Sequence, residues 1–145
     1  MKKLTALLFT AVFVFVFAGH APAGNDSYQD GTYRGIFADR GDIQVSLQFT
    51  LEDNKVTAAS FRELYHSGID YLTTKDYATV QGIREQHQAL IDYLIGKDIG
   101  HSLDDLYKPG KIATQNVDGF TGATLRSGKI ISAVRDGLNR GIYRY

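Results

Sequence analysis

The chain has 145 residues, and its 16 basic and 16 acidic side chains give a formal charge of zero at pH 7. A balanced charge argues against a nucleic-acid partner, because such a partner selects for an excess of basic residues. Cysteine is absent from the sequence, which excludes disulfides, iron–sulfur ligation and Cys-x-x-Cys-His haem attachment.

The first segment is predicted to be a secretory signal peptide. Lys2 and Lys3 precede an apolar run over residues 4–18, and residues 21–23, Ala-Pro-Ala, supply the small side chains that a signal peptidase selects. The alternative is a membrane anchor, but the run is shorter than the ~20 residues needed to span a bilayer. We therefore expect an exported protein, periplasmic or otherwise extracytoplasmic, with association to a membrane left open. Cleavage after residue 23 leaves one domain, residues 24–145.

The N-terminal half of this domain is predicted to form an antiparallel meander. Residues 32–38 form the first strand, and a turn cluster at residues 39–42 separates it from the second. A third strand is expected at about residues 56–64. In the second strand apolar and polar residues alternate, which predicts one buried face and one solvated face. The apolar set is Ile43, Val45, Leu47 and Phe49, and the polar set is Gln44, Ser46, Gln48 and Thr50.

Helices are predicted to follow the meander and to cover its apolar face. Helical spacing of apolar residues begins at residue 79, and Gly96 ends this helix. Its core-facing set is Val80, Ile83, Leu90, Ile91 and Leu94. Ser102 and Asp105 have the spacing of a capping pair for a short second helix. The fold class predicted from this order is α+β, an antiparallel sheet with helices packed on one face.

The last helix is predicted to direct one apolar stripe into the core and to end at Gly141. The stripe consists of Ile130, Ile131, Val134 and Leu138. This helix directly follows residues 118–127, Asp-Gly-Phe-Thr-Gly-Ala-Thr-Leu-Arg-Ser, which form the most informative segment of the chain.

Residues 118–127 form a plausible phosphate site. The first N–H groups of a helix lack partners within it and carry the positive end of its dipole, so they favour an anion. Gly122 and Ala123 supply backbone donors and keep side-chain bulk away from the phosphate. The nearby hydroxyl groups are those of Thr121, Thr124 and Ser127. The alternative interpretation is helix capping, the usual role of Ser and Thr before a helix.

The same segment closely resembles the Asp-x-x-Ser/Thr-Gly-Ala-Thr flavinylation motif of the FMN-binding domain family. That family includes the periplasmic C subunit of the sodium-translocating NADH:quinone oxidoreductase, the G subunit of the Rnf complex and small secreted flavin carriers. The resemblance implies that a flavin transferase attaches FMN through its phosphate to Thr124. It assigns Asp118, which would repel an anion, to transferase recognition or loop structure. The cofactor-binding residues it implies are Asp118, Thr121, Gly122, Ala123, Thr124, Leu125 and Ser127.

Two further segments bear on the resemblance. Residues 28–35, Tyr-Gln-Asp-Gly-Thr-Tyr-Arg-Gly, look like the start of many single-domain members, so the resemblance covers most of residues 24–145. Many members also carry a Pro-Gly-rich loop near the flavin ring. The nearest equivalent in this chain is residues 66–71, which contain no proline.

The function implied by the resemblance is electron transfer by an exported FMN protein. Its implied partners are the flavin transferase and redox proteins, membrane-bound ones included. Two alternatives stay open: a non-covalent FMN receptor or flavoenzyme, and a flavin-free secreted interaction module. The sequence contains no obvious nucleophile–base pair or paired carboxylates, so no catalytic residue is predicted and an electron carrier is favoured over a stand-alone enzyme. His66, His87 and His101 lack metal-motif spacing, so no metal is predicted.

Export can be tested by sequencing the N-terminus of the protein recovered outside the cytoplasm. We expect the sequence to begin at Gly24 or within a few residues of it, because residues 21–23 present the cleavage signal. Recovery of the intact N-terminus, residues 1–18, in a membrane fraction would instead identify the apolar run as an anchor.

Overall fold

The computed structural model describes residues 27–75, 77–114, 117 and 120–145, with only the backbone described at positions 120 and 121. The expected signal peptide, residues 1–23, therefore lies outside the described residues. The strands are β1 (Gly31–Asp39), β2 (Asp42–Glu52), β3 (Lys55–His66) and β4 (Ile69–Asp70). The helices are α1 (Ala78–Leu94), α2 (Ile99–Asp105) and α3 (Phe120–Arg140), with a short 3₁₀ turn at Pro109–Lys111.

The strands form one antiparallel sheet in the order β1-β2-β3-β4, and the helices follow it in the chain. The predicted α+β class is therefore confirmed. On β2 the side chains that face the helices are almost completely buried: Val45, Leu47, Phe49 and Leu51. The opposite face is polar, and there the guanidinium of Arg34 donates from Nε to Oε1 of Gln48 over 2.8 Å. The alternation along β2 thus separates the core from the polar face. Ser46 was expected to be solvated on that face, but it is buried.

Ile43 was expected in the buried set of β2, and this expectation is wrong. Phe37 pairs with Val45 and Ala38 pairs with Ile43, so Gln44 is an extra residue in the ladder. A β-bulge of this kind shifts the alternation of the side chains by one position. Gln44 consequently turns inward and is 8 % exposed, whereas Ile43 turns outward and is 38 % exposed.

Helices α1 and α3 supply the other layer of the core. From α1, the side chains of Val80, Leu90, Ile91 and Leu94 are buried. From α3, those of Ile130, Ile131, Ala133 and Val134 are buried. Helix α3 packs on β1 and β2, while α1 lies beside it and contacts β3. None of the helices in the described part of the chain is long and apolar enough to cross a membrane.

The start of α2 differs from the expected capping pair. Its N-cap is Asp98, whose Oδ1 accepts a hydrogen bond from the backbone N–H of His101 over 3.1 Å. Ser102 lies inside the helix, is buried, and donates its hydroxyl hydrogen to the carbonyl oxygen of Ile99. Asp98 satisfies the capping requirement as well as serine would, so the Ser102–Asp105 spacing does not mark the helix start.

The closest approach between the two layers occurs at glycine residues. Gly35 of β1 lies directly under α3, and a Cβ atom at this position would overlap the carbonyl oxygen of Ala133. The same Cβ would lie 2.9 Å from the Cα of Gly137. Both contacts are to backbone atoms, which no side-chain rotation can relieve. Only glycine at position 35 therefore lets α3 pack on the sheet at this distance.

Beyond α3 the chain returns along the outer edge of β1. Helix α3 ends at Arg140, and Gly141, the predicted C-cap, follows with a positive φ of 82°. The backbone N–H of Tyr143 then donates to the carbonyl oxygen of Thr32 over 2.7 Å, and Ile142 bridges to Tyr33. The ring of Tyr143 lies 3.5 Å from the guanidinium carbon of Arg34. The C-terminal residues are thereby fixed against the first strand.

We expect Gly35→Ala to lower the free energy of unfolding by about 1–3 kcal/mol or more, because α3 must move away from the sheet to admit the methyl group. Gly128→Ala is the matched control: Gly128 lies within α3, and a Cβ there meets nothing within 4 Å. This control should leave stability unchanged or raise it by up to ~1 kcal/mol. Urea unfolding followed by circular dichroism measures both. Equal stability of the two variants would contradict the packing described.

Candidate functional site

The expected phosphate segment lies at the N-terminus of α3, and most of it is helical. Because α3 begins at Phe120, the backbone N–H groups of Thr121 and Gly122 belong to the first turn, whose N–H groups lack partners within the helix. Ala123 is buried, whereas Thr124 and Leu125 are exposed, Leu125 to 63 %. Asp118 and the side chain of Thr121 lie outside the described part of the structure.

Ser127 forms a hydrogen bond inside the protein. Its side chain is buried, and its Oγ donates a hydrogen bond to the backbone carbonyl oxygen of Leu106, the residue directly after α2. This bond joins α3 to the chain that follows α2. The hydroxyl hydrogen that was expected at a phosphate is used inside the protein, so Ser127 is not included in the site proposed below.

A cleft of about 330 Å³ opens between the N-terminal part of α3, the middle of α1 and one end of the sheet. Its size falls within the ~300–1,000 Å³ range of small-molecule sites. The sheet and the segment after β4 contribute Gln44, Val45, Leu64, Tyr65, His66 and Tyr71. The helices contribute Ile83, His87, Gly122, Leu125, Arg126 and Lys129. The cleft thus combines apolar and aromatic walls with a few polar groups, as ligand sites generally do.

Two cations lie on the α3 side of the cleft. Arg126 donates from Nη1 to Oε1 of the buried Gln86, over 2.5 Å, which connects α3 to α1. Lys129 is one turn further along and partly buried. Its burial, and then the positive charge of Arg126, lower the pKa of Lys129, while the carboxylate of Asp39 acts in the opposite direction. Together these side chains give the cleft a positive wall that favours an anionic or oxygen-rich ligand.

His87 is a buried, neutral histidine in the wall of the cleft. It is 4 % exposed, and its Nδ1 lies 2.8 Å from the carbonyl oxygen of Ile83. A carbonyl oxygen can only accept, so Nδ1 carries the proton and Nε2 presents a lone pair. Burial above all, with Arg126 and Lys129 adding to it, lowers the pKa of His87 from 6.5 to about 4. The ring is therefore uncharged at neutral pH, and its Nε2 is a hydrogen-bond acceptor.

Gln44 is the second buried polar side chain in this wall. The β-bulge described above turns it inward, and it is among the residues that line the cleft. Within the described residues, no hydrogen bond to its side-chain amide is found. Buried amide groups usually have hydrogen-bond partners. The amide of Gln44 and the Nε2 atom of His87 can therefore form further hydrogen bonds with a ligand in the cleft.

Thr124 does not line the cleft. The cleft-lining residues of α3 are Gly122, Leu125, Arg126 and Lys129, whose spacing of three and four places them along one side of the helix. A residue on an α-helix is rotated by ~100° from its neighbour, so Thr124 projects from a different side of α3 than Gly122. The hydroxyl group of Thr124 and the cleft therefore lie on different sides of the N-terminus of α3.

The structure brings together some of the residues predicted from the sequence and adds others. His66 and Tyr71, the ends of the segment compared above with a family loop, line the cleft beside Gly122. Gln44 and His87 were not predicted as site residues. The alternation of β2 assigned Gln44 to the solvated face, and only a paired strand reveals the bulge. No group of metal-binding side chains occurs among the described residues.

The comparisons with known proteins agree with the family that the motif of residues 118–127 resembles. A family model described as the FMN-binding domain matches residues 40–139, well over half of the chain. This match supports FMN as the cofactor. Neither the curated proteins nor the solved structures yield a match to this sequence.

The buried state of His87 predicts that the protein without flavin is less stable in acid. Below pH 6.5 the unfolded chain binds a proton at His87 that the folded protein does not bind until about pH 4. Stability is therefore complete above pH 6.5 and is lost as the pH falls toward 4, by up to about 3 kcal/mol.

Urea unfolding at pH 7 and pH 4.5 measures this loss in the wild type, in His87→Gln and in His101→Gln. We expect His87→Gln to reduce the loss by about 2–3 kcal/mol. His101→Gln should not reduce it, because the side chain of His101 is 74 % exposed and lies 3.3 Å from the carboxylate of Asp98. The same pH dependence in the wild type and in His87→Gln would show that another group is responsible.

Proposed function

The chain belongs to the FMN-binding domain family, and on this basis we propose that it is an exported electron-transfer protein carrying FMN through a phosphoester bond to Thr124. The observation on which the proposal rests is the Thr-Gly-Ala-Thr sequence at the N-terminus of α3, with Thr124 exposed. An exposed position is accessible to a modifying enzyme. A flavin transferase is therefore the maturation partner that the proposal requires.

The first turn of α3 suits the phosphate of such a cofactor. The N–H groups of Thr121 and Gly122 are among those that have no partner within the helix, and the helix dipole adds positive potential at this end. Gly122 has no side chain to obstruct the approach of an anion. These groups stabilise a phosphate without any charged side chain in direct contact.

When bound, FMN supplies electron transfer, and the role of the protein is to bind the cofactor, orient it and limit its contact with water. The cleft has the size and the mixed lining expected of a small-molecule site, so the residues present fit a flavin. Leu125 and Tyr65 are partly or largely exposed at this cleft, which leaves a cofactor there within reach of a redox partner. We assign no catalytic residue, in keeping with an electron carrier.

Covalent attachment is consistent with the proposed export. A flavin that dissociates from an exported protein is diluted into the surroundings, whereas a phosphoester retains it. Electron donors and acceptors would then be other extracytoplasmic or membrane-bound redox proteins. The second candidate function is non-covalent FMN binding in the cleft, and one observation favours it: Thr124 is not among the residues that line the cleft.

Mass spectrometry of the protein exported by a host with a flavin transferase distinguishes the two functions. The covalent proposal predicts a gain equal to FMN less one water, because a hydroxyl and a phosphate condense, and a yellow colour that persists after denaturation. Trypsin releases residues 112–126 as one peptide, and its fragmentation should place the adduct on Thr124 rather than on Thr121 or Thr114.

Thr124→Ala should lose the adduct and keep the fold, since Thr124 is exposed and the loss of a helix-terminal hydroxyl costs only ~1 kcal/mol. Thr124→Ser is the matched control, because it keeps the hydroxyl, and it should retain flavin. Covalent flavin on Thr124→Ala would overturn the assignment. Colour that denaturation releases from the wild type would establish the non-covalent function.

A further inference from the structure

Among the described residues, two polar side chains that line the cleft have polar atoms without a hydrogen-bond partner. His87 is 4 % and Gln44 is 8 % exposed, and both line the cleft beside Gly122. Nδ1 of His87 is satisfied by Ile83, while its Nε2 has no hydrogen-bond partner among the described residues. The same holds for the side-chain amide of Gln44. Groups buried in this way are costly to leave unpaired, so they indicate a ligand with matching polar atoms.

The chemistry of the two groups restricts that ligand. Neutral His87 with a protonated Nδ1 can only accept at Nε2, so it requires a donor. Gln44 carries both an NH₂ donor and a carbonyl acceptor. Arg126 and Lys129 add positive charge to the same cleft, which favours carbonyl oxygens beside the donor. The matching surface is a flat edge with one N–H between two carbonyl groups.

The pyrimidine ring of a flavin presents such an edge: O2 and O4 flank N3–H, the only N–H of the oxidised ring system. We propose that the isoalloxazine ring lies in this cleft, with N3–H donating to Nε2 of His87 and the amide of Gln44 donating to a neighbouring carbonyl oxygen. This proposal rests on the proposed function. It adds the position of the ring and two binding residues outside the Thr-Gly-Ala-Thr motif.

Gly122 connects the phosphate site to the cleft. Its N–H belongs to the first turn of α3, where the phosphate is proposed to lie, and the residue itself lines the cleft. A cofactor attached at Thr124 can therefore pass over the helix terminus at Gly122 and enter the cleft through its flexible ribityl chain. Leu125 and Tyr65 flank the cleft and supply apolar contacts for the ring.

The test compares Gln44→Leu with Gln48→Leu. Both residues are on β2, but Gln48 lies on the opposite, polar face of the sheet, where it accepts from Arg34. Each variant is first checked by mass for FMN on Thr124, which separates failure of the proposed function from failure of this inference. The flavin fluorescence is then quenched with iodide to measure how well the ring is protected.

We expect strong protection in the wild type and in Gln48→Leu. Gln44→Leu should lower the ratio of docked to undocked ring by about fivefold, the effect of one lost hydrogen bond. His87→Leu removes the acceptor, and in protein loaded with ¹⁵N-labelled FMN the N3–H resonance should move toward its position in free FMN. If His87→Leu does not fold, the iodide quenching of Gln44→Leu alone tests the position of the ring.

Equal protection in both glutamine variants, or a wild-type ring as accessible to iodide as free FMN, would overturn the inference while the adduct remained established. If no adduct forms, the same variants are titrated with free FMN. An affinity about fivefold weaker in Gln44→Leu alone would support the cleft as the ring site. Absence of FMN binding, or equal weakening in both variants, would refute it.

Discussion

The site depends on how closely α3 can approach the sheet. At Gly35 a strand and a helix meet through backbone atoms, with Ala133 and Gly137 on the helix side. This contact fixes the axis of α3 over β1 and β2 and so determines where its first turn lies. Gly122, Arg126 and Lys129 then line the cleft at one end of the sheet. A wider spacing between the layers would separate the motif from the groups that complete the cleft.

The elements of the fold were predictable because their signals are local. Alternation in β2 and helical spacing in α1 identified most of the core, and Gly141 marked the end of α3 correctly. The errors occur where a distant partner decides the structure. The bulge at Gln44 exists only in the pairing of β2 with β1, and it reverses the expected burial of Ile43. The start of α2 is a local exception: Asp98 caps the helix, and Ser102, four residues later, lies inside it.

Only the part of the proposed site that a short motif encodes could be predicted from the sequence. Residues 121–124 were proposed from the motif they form, because a phosphate at a helix terminus needs adjacent residues. The opposite wall is assembled from β2, β3 and α1, which are distant in the sequence, so no spacing could connect Gln44 with His87. The hydrogen bond from Ser127 to Leu106 could not be predicted for the same reason, because the two residues are distant in the sequence.

The pairing of Ile142 and Tyr143 with β1 covers part of an edge strand. An uncovered edge strand offers unpaired N–H and C=O groups to any other extended chain. Here Ile142 and Tyr143 occupy part of that edge, and the Tyr143 ring is held over Arg34. These two residues thus compete with strands of other molecules for the same backbone groups. A change that displaced Ile142 and Tyr143 would leave this part of the β1 edge open to pairing with another chain.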